Sequence, residues 1–328
     1  MLTFLARRLV YMVITLFVIS IVSFIIIQLP PGDFLTSYIA RLEEQGDLVD
    51  QAQIDALRAR YGLGQPMYVQ YLRWMGGVLQ GDLGRSLLWN KPVAWLIRDR
   101  LPWSFSISLV SFIFVWAVGL PIGIYSATHQ YSIPDYVATF IGFMGLAVPN
   151  FLLALLALWF YFQARGQVLV GLFSEEYLLA PWSFAKFVDL LKHLWIPALI
   201  LGMNGTAGLI RTMRANLLDE IRKPYVMMAR AKGVKETRVL VKYPLRVAMI
   251  PAISTIGWVL PGLFGGELLV SFVMGIPTLA PIFLGAVQNQ DMFLAGSYVL
   301  IVSALTIIGT LVSDILLAIV DPRIRGSV

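Results

Sequence analysis

Long apolar blocks separated by shorter polar stretches dominate the chain. Six of them carry almost no charge: residues 9–28, 103–127, 136–162, 195–210, 248–273 and 292–320. A helix needs about 20 residues to cross the hydrocarbon core of a bilayer, so these blocks predict six transmembrane spans. They must be helical, because lipid offers no partner to a free backbone N–H or C=O. The first block follows Arg7 and Arg8, as the apolar core of a secretory leader would. It is too long for a leader, however, and runs into Pro30-Pro31-Gly32-Asp33 without a small-residue cleavage pattern, so it reads as a retained span.

Two segments outside the blocks also carry helical signals. In residues 30–101, Asp50 predicts the cap of a helix through Arg60 that stops at Gly62, and Pro92 sits at the first turn of another. Between them Tyr68, Tyr71, Leu72, Trp74 and Met75 are helically spaced until Gly76-Gly77 and Gly81-Asp82-Leu83-Gly84 interrupt the pattern. The expectation is a small helical cap on the membrane domain, a docking surface rather than an enzyme. Further on, Phe184, Phe187, Val188, Leu191, Leu194 and Trp195 form a one-sided apolar stripe after Trp182, which predicts a helix lying in the membrane interface.

Composition supports lipid as the main solvent: 58% of the 328 residues are hydrophobic and only 13% are charged. There is no cysteine, so disulfides and thiolate metal sites are excluded. His129 and His193 are far apart and neither has a partner at metal-ligand spacing. Charge then sets orientation. Residues 211–247 carry Arg211, Arg214, Arg222, Lys223, Arg230, Lys232, Lys235, Arg238, Lys242 and Arg246 against Asp219, Glu220 and Glu236, which predicts a cytoplasmic loop. With six crossings both termini fall on that side, together with Arg7, Arg8, Arg323 and Arg325.

Within this loop Pro224 to Lys232, followed by Gly233, reads as a short helix with proline in its first turn and glycine just past its end. Two turns are marginal alone in water, so the apolar residues need a partner surface. A basic loop held only by anionic headgroups is the plainer alternative.

These residues carry a resemblance. Ala229-Arg230-Ala231-Lys232-Gly233, the basic segment through Arg246 and the ending Asp321-Pro322-Arg323-Ile324-Arg325 resemble the permease subunits of bacterial dipeptide and oligopeptide ABC importers. So do Arg7-Arg8, Pro31-Gly32-Asp33, Tyr61-Gly62-Leu63, Gly81 through Leu87 and Pro149, in order along nearly the whole chain. The resemblance implies an all-α, six-span permease in the bacterial inner membrane, with an extracytoplasmic helical insertion at 30–101 and a cytoplasmic coupling loop at 211–247. It implies that Tyr225, Met227, Met228, Ala229, Arg230, Lys232 and Gly233 form the coupling helix of the Glu-Ala-Ala loop, seated in a cleft of an ATP-hydrolysing subunit. Methionines stand at the first two positions of that motif here.

The chain has no Gly-x-x-x-x-Gly-Lys-Ser/Thr loop, so the expectation is a transport subunit that is not itself an enzyme. It would bind no cofactor; ATP and Mg would belong to partner ATP-binding subunits. A second homologous permease, an extracytoplasmic solute-binding protein and membrane lipid complete the expected partners, with no role for nucleic acid. Pro149, Asn150, Asn204, Pro261, Glu267 and Ser271 are expected along the translocation path, because prolines, small residues and intramembrane polar groups collect where a helix lines a cavity. Pro251, Pro261, Gly262, Gly265 and Gly266 should weaken or break the fifth span. Asp314, the other intramembrane carboxylate, is expected to have a structural partner. Di- or oligopeptides are the implied cargo, with oligosaccharides as the alternative. An ATP-independent secondary transporter is disfavoured by the isolation of the two carboxylates and the lack of intramembrane Lys, Arg or His.

Overall fold

The computed structural model describes residues 2–28 and 65–320 together with Ile39, Ala52 and Asp55; at residues 2–6, 258, 260, 261, 263 and 320 the backbone alone is described. Apart from Ala52 and Asp55, the expected helix from Asp50 to Arg60 lies outside the described residues, as do the Pro31-Gly32-Asp33 and Tyr61-Gly62-Leu63 motifs and the 321–325 ending. All regular elements among the described residues are helices, apart from one isolated bridge between Arg85 and Pro92. They group into two compact units, Ala6–Pro102 with Thr278–Leu305, and Met1–Leu5 with Trp103–Pro277 and Thr306–Val328.

In the first of these units, α1 (Leu2–Gln28) packs against α2 (Met67–Leu79) through rings. Phe24 stacks on Trp74 at 5.9 Å and meets Tyr71 edge-on at 5.4 Å, while the Tyr71 hydroxyl lies 2.8 Å from Ser20 Oγ. The helix α2 runs through Gly76-Gly77, contrary to the expected interruption, and stops at Gln80. Gly77 is needed because the chain folds back there: a Cβ would stand 2.8 Å from the Asp82 carbonyl oxygen. The loop that follows is pinned to the start of α13 (Met292–Val320) by one carboxylate. Asp291 accepts from Ser86 Oγ at 2.5 Å, from the Leu88 N–H at 3.1 Å and from the Leu294 N–H at 3.3 Å. Burial pushes this carboxyl up, against those three donors. Val93, Leu96 and Ile97, which open α3 (Val93–Thr128), pack with α12 (Leu279–Gln288), a short apolar helix with no counterpart among the sequence blocks.

The second unit is organised around α7 (Phe184–Ile221), which at about 1.5 Å per residue is about 57 Å long. The expected interfacial helix at 184–195 is therefore not a separate element but one end of this rod. Ser183 caps it, its Oγ accepting from the Lys186 N–H at 3.2 Å. Along these first turns the usual polarity is reversed. Phe184, Phe187, Leu191 and Trp195 are exposed, whereas Lys186, Asp189 and His193 are buried. Asp189 accepts from the Ser174 N–H at 2.8 Å and Oγ at 2.7 Å, and Lys186 Nζ donates to the Ala180 carbonyl at 2.7 Å. Polar groups satisfied inside and apolar groups outside suit a lipid solvent.

The third sequence block is broken rather than continuous. It forms α4 (Ile133–Ala147) and α5 (Asn150–Arg165), bent by 105° at Val148-Pro149. Proline has no N–H to continue the ladder and forces Val148 into an extended conformation, φ −94° and ψ 124°. The fifth block also divides, into α10 (Pro244–Ser254) and α11 (Ile256–Val273), with the break at Thr255. There the hydroxyls of Ser254 and Thr255 donate to the carbonyls of Pro251 and Ala252, each at 2.7 Å, three residues back. The backbone of α11 runs on helically through Pro261 and its neighbouring glycines, so those residues do not break it.

Among the described residues three helices are long and apolar enough to cross a membrane, within Arg7–Gln28, Val93–Thr128 and Met292–Ile319, and a fourth crossing results if α4 and α5 count as one bent span. Asp291→Ala should free the loop at residues 82–92, because it orphans the Ser86 hydroxyl and the Leu88 N–H at roughly 1–3 kcal/mol per buried group. Limited proteolysis in vesicles should then cut this loop faster than in the wild type, with Asp291→Asn intermediate; equal rates would show that another contact holds it.

Candidate functional site: the coupling loop and a polar groove

The cytoplasmic-type basic segment folds into two short helices, α8 (Pro224–Ala231) and α9 (Glu236–Lys242). Pro224 opens the first with a preset φ, and its missing N–H is one that a first turn leaves unbonded anyway. Its end is a Schellman stop: the Gly233 N–H donates to the Arg230 carbonyl at 2.9 Å and the Val234 N–H to the Ala229 carbonyl at 3.3 Å. This turn places Gly233 at φ 74°, in the left-handed region, although nothing lies within 4 Å of where its Cβ would be. The requirement for glycine is conformational and not steric.

One side of α8 is committed internally. Val226 and Ala229 are buried against Val239 of α9, with Val234 and Tyr243 at the edge. Arg230 clasps Glu236 through its Nε and a second nitrogen, the latter at 2.6 Å. The guanidinium holds the Glu236 carboxyl below the usual carboxylate range. The pair therefore supports the folded loop fully above the ordinary carboxylate pKa, and its contribution is lost as pH falls through the depressed value. Tyr225 donates to Glu220, the residue before the end of α7; burial and this carboxylate push the phenol up. The other side of α8 is open: Met227 is 54% and Met228 61% exposed, flanked by exposed Lys232 and Lys235. A cluster of Ala127, Met213, Leu217 and Ala248, with Leu240 and Leu245 packed on it, joins this loop to α3, α7 and α10. The loop is therefore carried by the helices of its unit.

Below the coupling loop, α3, α7, α10 and α11 border a groove of about 300 Å³, lined by Trp116, Asn204, Gly205, Gly208, Thr212, Thr255 and apolar neighbours. One amide and two hydroxyls give it hydrogen-bonding capacity without charge, and it sits at the break in the α10–α11 backbone. Of the residues expected along the path, Asn204 alone lines this groove among those whose side chains are described. Pro149 and Asn150 form the α4–α5 corner. Glu267 is fully buried and accepts from Ser104 Oγ at 2.6 Å, an α3–α11 contact, and Ser271 is buried near the end of α11. Sequence reasoning missed Trp116, Thr212 and Thr255, whose polar or aromatic ends are ordinary in an amphipathic context and become notable only when three helices bring them together.

A bundle of apolar helices carrying a basic loop whose short helix keeps one face open suits the membrane subunit of a transport system. The chain belongs to the family described as binding-protein-dependent transport system inner membrane component, which matches residues 119–326, with the N-terminal component of the same systems matching residues 1–108. It is a permease of such a system and relies on partner ATPases. It is 36% identical to the oligopeptide transport system permease protein AppB of Bacillus subtilis (strain 168), covering 99% of this chain and 100% of that one. It is 32% identical to the glutathione transport system permease protein GsiC of Escherichia coli (strain K12), over 99% of each. Among solved structures, the MetNI methionine ABC transporter in an inward-facing conformation matches 70% of this chain and 97% of its own, with a TM-score of 0.51 at 16% identity, which shows the shared fold.

Two outcomes are expected. Gly208→Leu puts a side chain into the groove from a position with open space around its Cβ, and should lower uptake about tenfold, a barrier increase of roughly 1.4 kcal/mol, while the complex still assembles. Unchanged uptake would remove the groove from the route. Arg230→Glu should impair the coupling of ATP hydrolysis to uptake, and the double variant Arg230→Glu, Glu236→Arg should restore it. Because the pair is exposed and worth less than about 1 kcal/mol to stability, protein levels should stay constant in both.

Proposed function

We propose that this chain is one half of the membrane domain of an ATP-driven importer for di- or oligopeptides and solutes of similar size. Six crossings are read from the apolar blocks, the basic bias of residues 211–247 puts that loop and both termini in the cytoplasm, and the bent α4–α5 pair, α7 and the α10–α11 pair supply the crossings beyond the three long apolar helices. A second, homologous permease provides the other wall of the route, because six helices enclose too little space for a bulky solute. The extracytoplasmic solute-binding protein delivers cargo to the side that bears residues 30–101. Peptide cargo is supported by the relatives, which are permeases of oligopeptide and glutathione transport systems. The uncharged, hydrogen-bonding groove suits main-chain amides and makes no demand on side chains.

The observation that carries this reading is the open face of α8, where Met227 and Met228 project from a helix too short to stand alone. Seated in a cleft of an ATP-binding subunit, that face is covered, and nucleotide-driven closure of two such subunits draws the paired coupling helices together. ATP and Mg act in the partners; this chain binds neither. The difference in contact energy between the closed and open states of the partners is what shifts the bundle between outward- and inward-facing forms.

Gly233→Val should lose the left-handed turn at a cost of roughly 1–2 kcal/mol and tilt α8 without disturbing the membrane helices. Reconstituted with its partners and a binding protein, the variant should insert normally and hydrolyse ATP yet fail to accumulate peptide. Full accumulation would count against the docking role, and accumulation by the wild type without any ATPase subunit would overturn the reading as a whole.

A further inference from the structure

The rod α7 has two grooves, on opposite sides. At about 3.6 residues per turn, Asn204, Gly208 and Thr212 of the polar groove fall on one side, and Trp195, Leu199 and Met203 on the other. The second side forms, with α5, a groove of about 390 Å³ lined by Leu153, Ala157, Tyr161, Trp195, Leu199 and Met203 among others. The Tyr161 hydroxyl and the indole of Trp195 are its polar groups, and its size is that of a fatty acyl chain. Each wall ends in a cation. On α7, Lys192 stands one turn before Trp195 and Ile196 on the same face; on α5, Arg165 stands one turn after Tyr161, in the last turn of the helix. Both are exposed, and residues 166–183 connect the two helix ends that carry them.

We propose that this groove holds a phospholipid of net negative charge, its acyl chain between α5 and α7 and its phosphate between Lys192 and Arg165. The membrane supplies the ligand at high local concentration, and two cations at the mouth of an apolar groove complement a phosphate by charge-assisted hydrogen bonds. Trp195, half exposed at the end of the groove nearest Lys192, has the amphipathic ring favoured at headgroup level. Solute has no claim on this side, because a groove with so few hydrogen-bonding groups leaves peptide amides unpaired. The lipid would fill the angle left where Pro149 turns α5 away from α4, bracing a corner that its own backbone does not complete.

The test uses the complete transporter purified in mild detergent. Native mass spectrometry should show retained phospholipid, and after exchange into equal mixtures of phosphatidylglycerol and phosphatidylcholine the glycerol lipid should predominate. Lys192→Gln and Arg165→Gln, both at exposed positions that leave packing intact, should each reduce retained lipid about fivefold. Ala157→Phe should abolish retention by filling the groove, whereas Leu155→Phe, on the outer side of the same helix, should not. Equal retention in all variants, or no headgroup preference, would overturn the proposal. So would loss of the second permease subunit with Ala157→Phe, which would make the groove a seat for a neighbouring helix.

Discussion

Close approach of α3 and α7 is the constraint on which the Trp103–Pro277 unit depends. Lipid tails are as apolar as leucine, so membrane helices gain little by hiding side chains from them, and contact must come from tight packing. Here it comes from missing side chains. A Cβ on Gly123 would lie 2.8 Å from that of Met213, and one on Gly202 would lie 2.8 Å from the Phe114 ring, with Gly119 facing Leu209 at 3.2 Å between them. The same device brings α13 onto α11, where a Cβ on Gly257 would lie 2.8 Å from Thr310 Cα. Once α7 is seated, its polar residues have defined neighbours: Asp135 of α4 receives Arg214 through two nitrogens, each at 3.0 Å.

Much of this was legible in the chain. The apolar blocks located the bundle because length and charge exclusion are properties of single helices. The short helix α8 was legible to within one residue, ending at Ala231 where the sequence suggested Lys232, because Pro224 and Gly233 act through local backbone geometry. Of the helically spaced residues in α2, Tyr71, Trp74 and Met75 pack, whereas Tyr68 and Leu72 are exposed. Breaks were harder to place. Pro149 ends a helix because it stands where the next helix can start, whereas Pro251 lies inside α10 and the backbone continues helically through Pro261. Whether a membrane helix tolerates a proline depends on what surrounds the carbonyl left without its N–H donor, which is a tertiary property.

The site was legible in part for the same reason. Glu267 drew attention as an intramembrane carboxylate, and it is fully buried, accepting from Ser104 between α3 and α11. Asn204 was found because an amide inside an apolar block is unusual. Thr212 and Thr255 carried no such signal, since a threonine in a membrane helix can satisfy its hydroxyl on its own backbone, and Thr255 does so. The reversed polarity of residues 184–195 was visible as a stripe, but its direction was not: periodicity shows that a helix has two faces without saying which one meets lipid.

The clasp between Arg230 and Glu236 and the buried contact of Val226 with Val239 give α8 its shape before any partner arrives. An isolated peptide of eight residues would have to fold as it binds and would surrender much of its interaction energy to ordering. A preorganised element surrenders little. Under the docking role proposed above, its affinity for a cleft would report mainly where the helices hold it, so that a small displacement of the bundle would become a large change in fit.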